Sequence, residues 1–538
     1  MKQREQNRII DLQTELQKQP LMELLRQQGV YIPAYCGSKG TCGKCRVQFL
    51  TGAPEPGLED RERFSEKELE KGWRLACKAK VSGEVQISIE ESVMEENIIA
   101  DAACDTKINI EDKNNKVENK NIDDIKYSDS EERKKQGKVS GQIPSHTVCI
   151  DIGTTTIAAI ELNPHTGTII QDAVTTNHQR AYGADVISRI QAANEGKGQL
   201  LQSILWEDIE NLLNKMNIPL ENSRLIISCN TTMGHLLQGY SCATLGKAPY
   251  EPVDISCHTF FYHGNDDILI LPGISTFVGA DIVSGIVETG MHKKEEITIL
   301  VDVGTNGEIA IGNKDKILVT SAAAGPAFEG SNIDCGVAAV PGAISTVEIR
   351  DERIFLGTIG EQKPVGICGS GVLEITYELL KNGYLDENGR LCEPYVQMGV
   401  PIFTANQYSE KSIKFTQKDI RQVQYAKSAI RTGIEILLKE YGITYDEVDH
   451  LYLAGGFGKH LNVEKAVGIG MLPAELKDKI SAVGNTSLFG AMLVARDEAI
   501  LEDFVNVAGM AEEITLAGHQ NFQECYLEYM SFPQRDEK

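Results

Sequence analysis

Three cysteines stand in the stretch AYCGSKGTCGKCRVQF with five and then two residues between them, at Cys36, Cys42 and Cys45, and a fourth follows at Cys77 in WRLACKA. Four thiolates are the ligand set of a 2Fe-2S cluster, and backbone NH groups of a glycine-rich loop can hydrogen-bond to its sulfurs and tune its potential. Gly37, Gly40 and Gly43 supply the φ values that a loop wrapped around a compact inorganic body demands. A structural zinc site is the competing reading, but it normally uses two close pairs, and only Cys42 and Cys45 form one here. A disulfide framework fits less well still.

A second kind of chemistry is written twice further along. HTVCIDIGTTTIAAIELN and ITILVDVGTNGEIAIGNK each read as strand, Asp-X-Gly-Thr turn, strand. A hairpin tip of backbone NH groups and Thr hydroxyls suits phosphate oxygens, and a carboxylate ending the first strand suits a Mg2+ held largely through water. One such turn is ordinarily a plain hairpin, and its Thr an ordinary hairpin hydroxyl. Two copies facing each other would grip a polyphosphate from both sides. A third element, DHLYLAGGFGKHLN, follows the amphipathic run QVQYAKSAIRTGIEILLKEY and brings backbone close to a ligand at Gly455 and Gly456, where a ring or ribose can lie. No GX4GK[ST] is present, so this is not a P-loop chain.

The elements that must position these residues are legible in part. The helical run LMELLRQQG precedes the cysteine loop, and alternating strands in CRVQFLTG and VQISI flank the later segment, as in a β-grasp ferredoxin. Residues 1–19 lack a clear turn signal for the first hairpin. Residues 91–145 are rich in Asp, Glu, Lys and Asn, too polar to offset the entropy of ordering, and are expected to form a mobile tether or a bare spacer. From Thr147 strands alternate with helices, giving an α/β fold. The expected division is therefore 1–90 ferredoxin-like, 91–145 linker and 146–538 nucleotide-binding.

At 538 residues, 41% of them hydrophobic, the chain can build several cored domains. No apolar run approaches a membrane span and the N-terminus is charged throughout, so a cytoplasmic, membrane-free protein is expected. There the nine cysteines outside the motif are buried or surface thiols. A formal net charge of −24 opposes nucleic-acid binding.

The five-residue first gap departs from the plant-type cysteine pattern and is similar to the adrenodoxin branch of the 2Fe-2S ferredoxins. In the order DIGTTT, DVGTNGE, AGGFG, the C-terminal region resembles the actin-like ATPase superfamily that includes acetate and sugar kinases. By that match Asp151 and Asp302 position Mg2+ and the attacking water, with Gly153, Thr154, Thr155 and Thr156 on one phosphate side. Gly304, Thr305, Asn306 and Gly307 lie on the other, and Gly455, Gly456 and Phe457 face adenosine. Asp185 in YGADVISRI and Asp281 in VGADIVSGI are similar to each other and are read as helix N-caps in preference to ligands of metal or water. His235 is read as a satisfied, partly buried histidine.

CNTTMGHLL, SAAAGPAFEGSNI, GICGSGVLE, TQKDIRQVQYAKSAI and GNTSLFGA narrow the resemblance to the corrinoid-activating proteins, in which an N-terminal 2Fe-2S ferredoxin domain is joined to an actin-like ATPase domain. The resemblance implies a 2Fe-2S cluster, ATP and Mg2+ as cofactors. It implies ATP-dependent reduction of Co(II) to Co(I) on a corrinoid protein or corrinoid-dependent methyltransferase, an external low-potential electron donor, and a homodimer. A 2Fe-2S centre near about −400 mV makes that transfer uphill, and a ligand that binds one conformation better can supply the difference. The alternatives are an ATP-driven donor to another enzyme, a ferredoxin-fused small-molecule kinase, or a nucleotide-switched assembly protein.

Overall fold

The computed structural model describes residues 7–14, 18–32, 34, 36, 38–90, 144–404, 412–459 and 461–534. The expected tether, 91–145, lies outside them apart from its last two residues.

Four strands of the N-terminal region form one sheet in the order Asn7–Gln13, Glu84–Glu90, Arg46–Thr51, Trp73–Leu75, each antiparallel to its neighbour. Alternation sends Val47, Phe49, Val85, Ile87 and Ile89 to one face, where all are buried. The helix Leu21–Gln27 covers that face with Leu21 and Leu25, four residues apart and so on one side of the helix. Each such leucine contributes about 2 kcal/mol on leaving water. The weakly written first hairpin is explained by this pairing, because Asn7–Gln13 takes its partner from the far end of the region.

The rest of the described chain makes two lobes on the same plan. In the first, a six-stranded sheet runs His258–Tyr262, Asn265–Ile270, Ser223–Cys229, His146–Ile152, Thr156–Leu162, Ile169–Thr176. In the second the order is Ile480–Gly484, His450–Ala454, Thr298–Val303, Gly307–Gly312, Ile317–Ala322, Ala511–Glu513. Each has a three-stranded antiparallel meander whose first strand also pairs in parallel with a later strand, Ser223–Cys229 or His450–Ala454. The meander strands carry near-continuous β-branched runs because both sheet faces are covered. Between the lobes the helices Ala280–Thr289 and Thr486–Arg496 pack on each other and share a core with Cys149, Ile160, Leu300 and Ala310, drawn from both sheets. The long helix Gln417–Tyr441, started by a Thr416/Asp419 capping box, backs the second lobe. Among the described residues no helix is long and apolar enough to cross a membrane.

Candidate functional site: a thiol cradle and an interlobe cleft

Sheet register brings the cysteines together. Arg46 pairs with Leu75, so Cys45 and Cys77 emerge side by side just beyond the strand ends, and Ala76 N donates to Cys45 O at 2.8 Å. Cys45 is fully buried; Cys36, Cys42 and Cys77 are partly exposed. The sulfurs lie as two hydrogen-bonded pairs, Cys36 with Cys42 and Cys45 with Cys77. Two thiol pairs suit a body containing two irons.

The bond to the Cys42 thiol, helped by the NH groups of Cys42 and Thr41, pulls Cys36 down to about 4. Its partner Cys42 is pushed up by the same bond and by burial. Lys44 N, Gly40 N and Cys77 N aim at the sulfurs of Cys42, Cys77 and Cys45. Anionic thiolates surrounded by backbone donors are what a 2Fe-2S cluster asks of its loop, so the residues fit the group. Gly40, at φ 82°, holds a backbone conformation that side-chain-bearing residues rarely adopt, with its NH aimed at the Cys77 sulfur. Gly37 lies outside the described residues.

The two Asp-X-Gly-Thr hairpins face each other across a cavity of about 540 Å³ between the lobes. Their turns are held open-mouthed by Thr156 O accepting from Gly153 N at 2.9 Å and by Asn306 O accepting from Gly304 N at 2.9 Å. Asp151 and Asp302 end the first strand of each hairpin and both line the cavity. Asp151 accepts from Ser487 Oγ at 2.6 Å and Asn485 Nδ2 at 2.8 Å, while burial raises its carboxyl pKa. Burial, with Asp281 and Asp151 nearby, pushes Asp302 up to about 8. Asp281 is pushed up to about 7 by burial and then by Asp151, and Glu308 is raised well above the carboxylate range by burial. Four carboxyl groups enclosed this closely hold protons or demand a cation.

Gly153, Thr154, Thr155 and Thr156 line the first-lobe side, and Gly304, Thr305 and Asn306 the second. Gly307 stands behind them, packed on Ile430 of the long helix. Gly455 and Gly456 close one end; Gly455 has φ 85°, and a Cβ there would be 2.5 Å from Asp302 Oδ1. The Phe457 side chain lies outside the described residues.

Asp185 is the N-cap expected of it, accepting from Ser188 N at 2.7 Å. Asp281 is not a cap: Gly279 takes that position, and the carboxylate falls inside the helix and lines the cleft. Its likeness to Asp185 in sequence concealed the difference. His235 is buried with both ring nitrogens engaged, Nδ1 by Thr231 O and Nε2 by Val253 N, each at 2.8 Å. Sequence reasoning also missed Glu308, Glu329, Asn485 and Ser487, the last two inside the quoted stretch GNTSLFGA. Glu329 accepts from Thr155 Oγ1 at 2.8 Å and Thr305 Oγ1 at 3.0 Å, so it bridges the two hairpins.

Family models match three successive stretches: a 2Fe-2S iron-sulfur cluster binding domain at 9–82, the RACo middle region at 146–294, and the C-terminal domain of RACo, its ASKHA domain, at 296–538. The middle-region match covers the first lobe described above. Corrinoid activation enzyme RamQ of Eubacterium limosum is 31% identical over 419 residues, spanning 71% of this chain and 70% of that protein. The Co(II) methylated amine-specific corrinoid protein reductase of Methanosarcina barkeri is 26% identical over 426 residues, spanning 72% and 76%. A solved reductive activator for corrinoid,iron-sulfur protein superimposes with a TM-score of 0.67 at 26% identity, covering 96% of each chain.

Proposed function

The chain belongs to the corrinoid-activating protein family, and from that premise we propose that it uses ATP to return an inactive Co(II) corrinoid, carried by a corrinoid protein or corrinoid-dependent methyltransferase, to the methyl-accepting Co(I) state. The observation that carries the proposal is the joining, in one chain, of a four-thiol cradle to a cleft with phosphate-binding hairpins in both lobes. A cluster bound in the cradle supplies a one-electron centre of low potential.

Cys36, Cys42, Cys45 and Cys77 hold that cluster, and the loop NH groups offset its negative charge. In the cleft, Asp151 and Asp302, joined by Asp281, position Mg2+ and the attacking water, and Asn485 and Ser487 orient Asp151. The hydroxyls of Thr154, Thr155, Thr156 and Thr305 donate to phosphate oxygens with the turn NH groups, and Gly455, Gly456 and Phe457 face the adenosine. Because each lobe supplies one hairpin, nucleotide binds best where both reach it, and that difference in affinity biases the lobes toward one arrangement.

The division into 1–90, 91–145 and 146–538, an external low-potential donor, a homodimer and a cytoplasmic setting belong to the same proposal. ATP turnover by the full chain, measured anaerobically with and without a Co(II) corrinoid protein, tests it. Stimulation by the corrinoid protein is expected. Unstimulated turnover accompanied by phosphoryl transfer to a sugar or organic acid would favour the kinase reading instead.

A further inference from the structure

The cluster loop touches both lobes. Ser38, between Cys36 and Cys42, donates to Ala181 O of the first lobe at 3.2 Å. Lys44, between Cys42 and Cys45, donates to three second-lobe carbonyls: Ile333 O at 3.0 Å, Asp334 O at 3.1 Å and Gly336 O at 3.4 Å. Both touched segments continue into the cleft. Ala181 ends the turn His178–Ala181, whose cap Asn177 donates from Nδ2 to Gly153 O and from its NH to Thr155 O, each at 2.9 Å. The carbonyls under Lys44 stand four to seven residues after Glu329, which bridges Thr155 and Thr305.

A carboxylate accepting from both hairpin hydroxyls competes with phosphate oxygens for the same donors and repels their charge. The stretch after Glu329 is compact enough to move as one piece. Neither Gly330 nor Gly336 admits a Cβ, the first because it would fall 2.2 Å from Val337 O and the second because it would fall 1.8 Å from Gly330 O, and Gly336 N donates to Ile333 O at 3.0 Å.

We propose that segment 329–336 couples the cleft to the cluster loop through Lys44: phosphate bound at Thr155 and Thr305 displaces Glu329, the segment shifts, and the three-carbonyl seat of Lys44 is lost, freeing the loop from the second lobe. Lys44 is thus a positioning residue: its ammonium seats the loop on the second lobe, while only its backbone NH aims at a cluster thiol, that of Cys42. The proposal rests on the ATP-driven activity above and adds the route by which nucleotide reaches the cluster loop.

Linkage makes the test two-sided, because a nucleotide that loosens the loop must bind more tightly where the loop is already loose. The cluster-loaded full chain is compared as wild type, Lys44→Met, Lys44→Arg and Ser38→Ala, with iron content and visible absorbance checking that each is loaded. Affinity for a non-hydrolysable ATP analogue is read by calorimetry, and amide exchange of the peptide spanning 38–45 with and without it. Wild type should exchange faster with analogue. Lys44→Met should exchange fast without it, gain nothing on adding it, and bind it about fivefold more tightly. Lys44→Arg should behave as wild type, and Ser38→Ala should shift both readouts in the direction of Lys44→Met. Equal analogue affinity and equal exchange response in wild type and loaded Lys44→Met would overturn the coupling while leaving the ATP-driven activity standing. A wild-type chain that bound no analogue would overturn both.

Discussion

Replacing Asp302 by Asn removes one of the buried carboxyl groups of the cleft. Burial and the neighbouring carboxylates push Asp302 up to about 8 from its ordinary value near 3.8. The folded chain therefore holds this proton where the unfolded chain has released it, and linkage makes folding stability fall as pH rises from about 4 to 8. Each tenfold change in acidity is worth about 1.4 kcal/mol. Asp302 keeps an opening to cleft water, which screens part of the interaction, so about 2 kcal/mol is expected to return at pH 8 in Asp302→Asn. That is a rise in Tm of roughly 4–8 °C for a unit the size of one lobe. At pH 5 the native carboxyl is protonated but the unfolded one is already mostly ionised, so about a quarter to a third of the gain should remain, and it vanishes only below about pH 4. Thermal melts of both proteins at pH 5, 6, 7 and 8, with and without Mg2+ and ATP, provide the assay. The difference between the proteins cancels the background of a chain with net charge −24. Mg2+ with ATP should stabilise wild type and leave the variant unmoved. A variant less stable than wild type at pH 8, or a gain equal at pH 5 and pH 8, would refute a cleft in which repelling carboxylates await a cation.

Gly455→Ala places a non-glycine residue at φ 85° with its Cβ 2.5 Å from Asp302 Oδ1; about 2 kcal/mol of strain and a loss of ATP affinity are expected, read by urea titration and calorimetry. Arg189 is fully buried, donates to Thr154 O, to Gly183 O at 3.0 Å and to Gln179 Oε1 at 3.2 Å, and is pulled down to about 9 by burial. Arg189→Met strands those acceptors and should cost about 3 kcal/mol, with weaker nucleotide binding because the first phosphate turn loses its support. Lys427, buried and donating to Tyr529 O and Ser531 O at 2.6 Å, is pulled down to about 7 by burial. Between about 7 and its ordinary 10.5 the unfolded chain holds more protons, so wild-type stability should rise with pH there, and Lys427→Met should lose that rise in urea midpoints at pH 7 and 9.

What was legible in the sequence follows from range. The cysteine loop is local, and Cys77 is tied to it by a short strand pairing, so spacing alone singled out the four cysteines that the structure brings together. Both phosphate hairpins announce themselves because strand, turn and strand are contiguous. Asp281 shows where local reading stops. The same GAD turn caps a helix at Asp185, but in the second copy Gly279 takes the cap and the carboxylate falls inside the first helical turn. Glu329 ends the short turn Pro326–Glu329, and Asn485 and Ser487 open the helix Thr486–Arg496, all far along the chain, and only the closing of two sheets on one interlobe core brings them to Asp151 and Thr155. Gly307 lies in the motif yet serves packing, since Ile430 needs the space a side chain would fill. The contact of Lys44 with the second lobe crosses nearly three hundred residues, and no pattern in the sequence carries it.

Formation of Co(I) is the most direct test. The reduced, cluster-loaded chain is mixed anaerobically with a corrinoid protein held as Co(II), and cobalt absorbance is followed with ATP, without ATP, and with Cys42→Ala in place of wild type. Co(I) should appear only when ATP and all four cysteines are present. Co(I) forming equally without ATP or with Cys42→Ala, or failing to form while ATP is hydrolysed, would contradict the account.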